Sequence, residues 1–518
     1  MALSHINTPT RLLKIPAIDY SISYITCEVL MQNPAPKTTP DTLRWAVFLA
    51  LLGTTQVQAQ GALTPTPGPG GTPIIDNGHG VPVIDIVAPN ASGLSHNQFL
   101  DYNVGKQGVV LNNALQAGQS QLAGQLGANP QFQGQAASTI LNEVISQNAS
   151  RIEGAQEIFG QKADYLLANP NGITVNGGSF INTTRAGFVV GNAHVQDGQV
   201  KHLDSRDARG ALDVLGRGLS NGEGALELIA PRIDAKGLLL AKDDLNLTVG
   251  RNTVDAESRA VLQHLPGISG SIDASLLGSM RAGQIRIVST AEGAGVQIGG
   301  MNLHAERGDL SIQSAGNLVV QGDELLQTNL TSSNGKLALS AERDLQFTAA
   351  NGKGRQVELN AGKNLTLDTI TRETLQSDPV DWVKKSWFVT TESRKGITET
   401  TDRKIVGSRL VAQDNLDLLA GNDLTLTAAQ LEAGNTLNLR SGNKMTIVPA
   451  WKAAIPRSST ATAFTLTAQT LTARRTRSSS RPARSRATNS LRMPAAICRS
   501  VAHTSMPSTT SSWTPRAT

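Results

Sequence analysis

Residues 169–182 read Asn-Pro-Asn-Gly-Ile-Thr-Val-Asn-Gly-Gly-Ser-Phe-Ile-Asn, and this stretch decides the fold. One polar residue separates Ile173 from Val175, so in an extended chain both side chains point to the same face. The flanking Asn and Gly residues tolerate the positive φ angles that tight corners need, and Pro170 presets the first turn. The stretch therefore predicts a strand, a corner and a second strand that contains Phe180.

The composition indicates how such strands are assembled. The chain has 518 residues, of which 39% are hydrophobic, only 3% are aromatic and 49 are Gly. A compact globular core of this size normally uses more aromatic side chains, whereas aliphatic residues stacked in a solenoid need few of them. The hydrophobic residues also recur periodically, which argues against disorder over residues 74–448.

A short repeat follows residue 308: Asn or Asp, then Leu, a polar residue and another aliphatic, as in Asp309–Ile312 and Asn415–Leu418. The first apolar positions fall in pairs eight apart, at 310/318, 337/345, 416/424 and 437/445. The steps from 318 to 337, 345 to 365 and 416 to 437 are 19 to 21 residues. This period predicts an all-β, right-handed parallel β-helix with inward leucines and stacked Asn corners. A β-sandwich with regular turns is the alternative.

The net charge of +5 arises near the C-terminus. Residues 451–518 contain ten Arg, one Lys and no Asp or Glu, which leaves 35 basic against 41 acidic residues in 1–450. The positive net charge of the whole chain is therefore no evidence for nucleic-acid binding.

No residue pattern predicts a catalytic or metal site. Cys27 and Cys498 are the only cysteines, and the histidines lack metal-ligand spacing. Ser95 and His96 are adjacent in a predicted strand, so they point to opposite faces and are poorly placed as a nucleophile–base pair. We therefore expect no enzyme activity, no metal and no cofactor.

An apolar run at Trp45–Leu52 follows Arg44 and precedes Val57-Gln58-Ala59. This pattern predicts an extended signal peptide over residues 1–59, with cleavage after Ala59 and export through Sec into the periplasm. The run is shorter than the ~20 apolar residues that cross a bilayer. Translation could start at Met1 or at Met31.

Three segments depart from the strand pattern. Residues 60–73 are rich in Pro and Gly and predict a linker without regular structure. Residues 372–408 interrupt the repeats and predict either a hairpin outside the helix wall or a ligand-contact loop. Residues 449–518 contain no Gly, Asp or Glu, which favours out-of-frame translation, with a disordered basic tail as the alternative.

Several motifs together resemble the amino-terminal secretion domain of the filamentous haemagglutinin and contact-dependent growth inhibition exoproteins of two-partner secretion: Gly80–Ile86, Gly93–Asn97, Leu141–Val144 and Asn169–Ile173. The resemblance implies a capped β-helical secretion domain over 74–310 and haemagglutinin repeats over 311–448. It also favours a strand within 137–145, where the sequence alone is compatible with a helix. The implied partner is an outer-membrane transporter with periplasmic POTRA domains.

The resemblance also assigns roles to residues. Asn169, Pro170, Asn171, Gly172 and Ile173 would form the corner that supports secretion-competent folding. Asn129 and Pro130 begin a second motif, which departs from the family's Asn-Pro-Asn-Leu in its last two residues, Gln131 and Phe132. The cysteine pair of some members is replaced by Val175 and Gly178.

These features predict a secreted or cell-surface adhesin that binds a receptor on a host or neighbouring cell. The alternative is the stalk of a contact-dependent growth inhibition toxin whose effector domain lies further downstream. A third possibility, a β-helical polysaccharide lyase or hydrolase, needs clustered Asp and Glu on adjacent coils, and the sequence shows no such cluster.

Overall fold

The computed structural model describes residues 62–449, apart from 267–271, 293–294, 324 and 387–388, together with 489–494. In this part of the chain the regular structure is β-strand, and no helix is long and apolar enough to cross a membrane. The predicted signal peptide, its cleavage after Ala59 and most of the 449–518 tail lie outside the described residues.

Three long sheets build the fold, and the chain runs from the first sheet to the third, then to the second and back to the first in each coil. The first sheet contains Leu63–Thr66, Leu94–Tyr102, Thr139–Val144, Ala163–Ala168, Thr183–Val189, Ala225–Ala230, Asp244–Val249, Gln284–Ser289, Leu310–Ser314, Lys336–Ala341, Gln356–Ala361, Asn415–Ala420, Thr436–Ser441 and Asn489–Pro494. The second contains Ile74–Asp76, Val83–Asp85, Val109–Asn113, Ala155–Gly160, Gly178–Ile181, Leu219–Asn221, Leu239–Ala241, Met280–Ala282, Asn302–Ala305, Thr328–Ser332, Ala350–Gly354, Arg409–Ala412 and Gln430–Ala433. The third contains Ser150–Ile152, Ile173–Val175, Leu212–Val214, Ile233–Ala235, Ile272–Leu276, Gly295–Gly299, Leu318–Gln321, Leu345–Thr348, Leu365–Asp368, Leu424–Thr427 and Met445–Val448.

Stacking in register forms the core of this parallel β-helix. Leu337 pairs with Leu310 on one side and with Val357 on the other, and Leu416 pairs with Val357 and Leu437. All five side chains are buried. The predicted parallel β-helix is confirmed, and the β-sandwich alternative is wrong.

The corner chemistry predicted from the repeats is also present. At the corner that precedes the third-sheet strands, the Asn364 amide donates to Asp344 Oδ1 at 2.8 Å, and Asn364 Oδ1 accepts the Asp423 N–H at 3.3 Å. These bonds join corresponding positions of successive coils, so the half-buried side chains of the corner keep hydrogen-bond partners.

One part of the predicted coil spacing is wrong. The pairs eight residues apart are the first-sheet and third-sheet strands of a single coil, so the step from 318 to 337 compares two different sheets. Leu318 stacks on Leu345, a step of 27 residues, because a loop that begins at Gly322 lengthens that coil. The steps from 345 to 365 and from 416 to 437 do join stacked residues.

Antiparallel strands cover the amino-terminal end of the β-helix. Leu63–Thr66 pairs with Leu94–Tyr102, and Ile74–Asp76 pairs with Val83–Asp85. The expectation that residues 60–73 hold no regular structure is therefore wrong at Leu63–Thr66. Pro65 is tolerated there because it lies in an edge strand at a register shift, where a missing N–H donor costs little. The segment 137–145 contains a strand, as the resemblance indicated.

Three smaller sheets lie outside the three walls. A four-stranded antiparallel sheet, here called the covering sheet, contains Asn192–Gln196, Gln199–Asp204, Arg251–Asp255 and Val261–Leu265. Gly118–Ser120 and Gly124–Leu126 form a short hairpin. Ile370–Ser386 and Val389–Val406 form a long hairpin, and these two strands pair with no other strand of the described chain.

Candidate functional site: two Asn-Pro corners

The first corner joins Ala163–Ala168 of the first sheet to Ile173–Val175 of the third. Asn169 at its start is fully buried. Its Nδ2 donates to the Asn148 carbonyl and to Ser150 Oγ, both at 2.9 Å. Asn148 and Ser150 belong to the preceding coil, so a single amide ties the corner to the coil before it.

The same side chain also shapes its own turn. Asn169 Oδ1 accepts the backbone N–H of Asn171 at 2.9 Å, and the Asn171 amide donates to the Ser146 carbonyl at 2.8 Å. Gly172 has a φ of 116°, a left-handed conformation that favours glycine. Asn169, Asn171 and Gly172 therefore each contribute to the geometry of this turn.

The following coil packs on the other side of the corner. The Pro170 carbonyl accepts the N–H of Arg209 at 2.9 Å, and the Ala211 carbonyl accepts the N–H of Ile173 at 3.1 Å. A Cβ placed on Gly210 would lie 2.3 Å from both the Asn171 carbonyl oxygen and the Gly172 nitrogen. The corner thus bonds to the coil before it through side-chain amides and to the coil after it through backbone.

The second motif adopts a similar turn. Asn129 is buried, and its Oδ1 accepts the N–H of Gln131 at 2.9 Å. Its Nδ2 donates to the carbonyls of Ile86 and Asn112, at 2.9 and 2.7 Å. The Gln131 amide donates to the Asp85 carbonyl at 2.6 Å. The departure from the family motif at Gln131 is therefore compatible with the turn.

The two motifs lie at different corners of the β-helix. Asn129 and Pro130 lie in the connection from Val109–Asn113 of the second sheet to Thr139–Val144 of the first, whereas Asn169 lies between the first and third sheets. Pro130 is exposed and Pro170 is half-buried. The structure thus places the predicted residues in two separate turns of one solenoid.

The adjacent Ser95 and His96 have separate partners. Ser95 Oγ donates to the Val87 carbonyl at 2.7 Å, while His96 Nε2 lies 2.9 Å from Glu143 Oε2. Burial raises the pKa of Glu143, but hydrogen bonds with His96 and Gln98 outweigh it and hold that pKa below its usual value. These contacts support the predicted separation of Ser95 and His96, and both residues have structural partners.

Comparison with known proteins decides the family. The model of the TPS secretion domain matches residues 56–320, more than half of the chain. The chain belongs to the TPS secretion domain family. A second model, the hemagglutinin repeat, matches residues 384–450.

Named relatives share this TPS region. A hemolysin of Proteus mirabilis is 36% identical over an alignment of 420 residues, which covers 75% of this chain and 26% of that protein. A hemolysin of Serratia marcescens is 36% identical over an alignment of 402 residues, which covers 67% of this chain and 25% of that protein. The 16S rRNA endonuclease CdiA of Enterobacter cloacae is 35% identical over 328 residues, with 62% and 10% covered. The chain thus spans about a quarter, or less, of the length of these relatives.

Among solved structures, a filamentous hemagglutinin secretion domain is similar, with 28% identity and a TM-score of 0.44 over 54% of this chain and 93% of that one. The TPS match identifies the chain as part of a secreted or cell-surface exoprotein of the two-partner secretion class. A TPS domain implies a partner transporter in the outer membrane, and the family is one of secretion domains rather than of enzymes.

The covering sheet is the part of the TPS region that sequence reasoning missed. Its Leu203 and Val254 pack on Leu141, Leu166 and Ile229, which point outward from the first sheet. The sequence does contain a signal for this sheet, because Asp197-Gly198 is a typical two-residue turn of a β-hairpin. Both residues have positive φ angles, 53° and 73°.

The expectation that no acidic residues cluster on adjacent coils is also wrong. Asp213 and Asp234 occupy corresponding positions of neighbouring third-sheet strands. Within the described residues, however, no group of three or more His, Cys, Asp or Glu side chains is arranged to hold a metal ion. This acidic pair thus falls short of the ligand number that a metal site in protein normally needs.

Proposed function

We propose that this chain is the front part of an adhesin or haemagglutinin-like exoprotein, and that residues 74–310 are the region a partner transporter recognises through its periplasmic POTRA domains. The supporting observation is the Asn169 corner. Its side chain bonds to the coil before it, and its backbone bonds to the coil after it. Each coil therefore presents hydrogen-bond partners to the next one.

This geometry suits export without a nucleotide-driven motor in the outer membrane. A solenoid gains its stability from contacts between neighbouring coils, so folding that starts at one end can propagate along the chain. Coils that fold outside the cell would then retain the segment already exported. Asn129, Pro130 and Asn169–Ile173 are the residues we assign to secretion-competent folding.

Residues 311–448 would form the first part of the adhesive filament, and a receptor on a host or neighbouring cell is the proposed partner. The outward positions of this region are mainly polar, for example in Asn415–Ala420, where buried and partly exposed residues alternate. A regular polar wall is suited to a filament that lies in solvent and contacts a receptor on another cell. We assign no enzymatic activity, no cofactor and no nucleic-acid partner to the chain.

The second candidate is the stalk of a contact-dependent growth inhibition toxin. Relatives named CdiA, 34–36% identical over this region, favour it. The coding sequence beyond codon 518 discriminates the two candidates: a variable toxin domain followed by a small immunity gene would favour the stalk. Resequencing the codons for residues 449–518 tests the proposed frameshift. If the proposal is right, translation of this region in another reading frame restores the Asn-x-Leu-x-Leu repeats.

Secretion assays with a co-expressed partner transporter test the main proposal. Deletion of residues 60–310 should abolish export, whereas deletion of 311–448 should leave it intact. Asn169→Ala should reduce export, and the exposed Asn334→Ala serves as its control. Export of the 60–310 deletion at the level of the intact chain would refute the assignment of this region.

A further inference from the structure

A cluster of arginines lies where the covering sheet meets the first sheet. Glu227, Asn246 and Arg286 occupy the same outward position in three successive first-sheet strands. Arg185 lies on the strand before them, and Arg259 lies in the covering sheet, between its last two strands. Two guanidinium groups, those of Arg185 and Arg259, pair with the buried Glu227 carboxylate, and Arg286 lies two strands further along the first sheet.

The ion pairs leave one positive charge without a carboxylate. Arg185 lies 3.1 Å from Asp164 and 3.2 Å from Glu227, and it also donates to the Ala256 carbonyl at 2.8 Å. Arg259 Nε lies 3.8 Å from Glu227 Oε1. Asp164 and Glu227 therefore pair with two arginines of the cluster, and no carboxylate of the described residues lies within ion-pair distance of Arg286.

Two donors of the cluster also lack hydrogen bonds. Arg259 Nε and Arg286 Nη1 are shielded from solvent and have no hydrogen-bond partner in the described part of the chain. Glu227 itself is 2% exposed and the Arg259 side chain is 30% exposed, so the cluster lies at the edge of the buried junction. Burial lowers the pKa of Arg286 and raises that of Glu227, which reflects the cost of holding charges at this place. Arginine nevertheless remains protonated in proteins.

We propose that Arg259 and Arg286 bind a small oxyanion of the phosphate or sulfate type at the junction of the first sheet and the covering sheet. The planar guanidinium group presents paired donors that match the oxygens of such anions. An anion held between these two residues would satisfy both buried donors and balance the charge of Arg286. It would also link the covering sheet to the wall of the β-helix.

This inference stands apart from the proposed function, because it concerns only contacts within the TPS region. The alternative occupant of the two donors is water. Water would satisfy Nε and Nη1 but would leave Arg286 without an ion-pair partner, so it predicts no saturable response to phosphate.

Titration of the full 518-residue chain with inorganic phosphate tests the proposal. Ionic strength is held constant with chloride, and binding is followed by calorimetry and by thermal unfolding. A ligand that binds only the folded state at 100 times its dissociation constant raises the folded-to-unfolded ratio about 100-fold. We expect saturable binding with this stabilisation, and the same response to sulfate.

Arg286→Gln is the decisive variant, because Arg286 forms no ion pair with the described residues and its loss should leave the fold intact. It should lose the phosphate response, and Arg259→Gln should lose it as well. Arg343→Gln changes an exposed arginine of a distant coil and should keep the response. Absence of saturable phosphate binding in the unaltered chain, or an unchanged response in Arg286→Gln, would overturn the proposal.

Discussion

Asn169 provides the sharpest test of how the corner is held. The Asn169→Ala variant removes the amide without adding bulk, so its effect comes from lost hydrogen bonds. The bond from the Asn171 amide to Asn169 Oδ1 is lost, but that amide keeps its bond to the Ser146 carbonyl. Three further partners lose a bond to the side chain: Ser150 Oγ, the Asn148 carbonyl and the Asn171 N–H. Asn169 is 0% exposed, so water cannot readily replace the missing groups.

The expected magnitude follows from these three bonds. A buried hydrogen bond between neutral groups contributes about 1 kcal/mol net, and a partner left unsatisfied can cost somewhat more. The free energy of unfolding should therefore fall by about 3 kcal/mol, which corresponds to roughly a 100-fold lower ratio of folded to unfolded chain. Asn334→Ala, which removes one exposed amide bond at 3.0 Å, should stay within about 0.5 kcal/mol.

Urea unfolding followed by circular dichroism measures the global effect. Solenoids often unfold in parts, so amide hydrogen exchange at Ile173–Val175 provides the local measurement. Exchange there should accelerate in Asn169→Ala and remain unchanged in Asn334→Ala. If both variants unfold at the same urea concentration and exchange equally slowly, the corner does not depend on the Asn169 side chain and the reasoning is refuted.

Three further changes test other parts of the fold. Gly210→Ala should destabilise the chain, because its Cβ would meet immobile backbone at 2.3 Å, whereas Gly216→Ala has open space and should be neutral or slightly stabilising in thermal unfolding. The lowered pKa of Glu143 means that its ionised form stabilises the fold above its unfolded pKa, near 4.3, and that this contribution is lost as the pH falls through the folded value. The loss of stability as the pH falls below the unfolded pKa of Glu143 should therefore be smaller in Glu143→Gln, and an unchanged pH profile would contradict this prediction. Replacing residues 372–404 by a short Gly/Ser link should leave thermal stability almost unchanged, since the hairpin strands pair only with each other; a large drop would show that the hairpin supports the wall.

The sequence was sufficient to predict two of the three sheets. First-sheet and third-sheet strands such as Lys336–Ala341 and Leu345–Thr348 carry large aliphatic or aromatic residues at inward positions. The alternation of apolar and polar residues, with a period of two, can therefore be recognised in the sequence. The corner residues could also be predicted, because Asn, Pro and Gly have a specific conformational role in a turn.

One second-sheet strand could not be predicted in the same way. Ala350–Gly354 places Ala350, Gly352 and Gly354 inward, so it carries no apolar period. The reason is steric, since a Cβ on Gly352 would lie 2.6 Å from Leu410 Cδ2 and 2.9 Å from Leu337 Cδ2. Large leucines on neighbouring strands already fill that space. A strand can thus lack hydrophobic alternation when leucine side chains from neighbouring strands fill the part of the core that it faces.

The burial of a first-sheet strand depends on whether the covering sheet packs over it. Asn415–Ala420 alternates between buried and partly exposed residues, as expected for a wall with one face in solvent. Ala225–Ala230 is buried at all six positions, which requires cover on both faces. The covering sheet supplies that second layer, since its Leu203 and Val254 pack with Ile229 of this strand. Glu227, the charged residue in this run, can remain buried only because Arg185 and Arg259 approach it from both layers. The letters alone do not distinguish this covered coil from the open one, because Asn415–Ala420 reads Asn-Leu-Asp-Leu-Leu-Ala with Asp417 at the matching position. The difference lies in the arginine partners of Glu227, which come from a neighbouring strand and from the covering sheet.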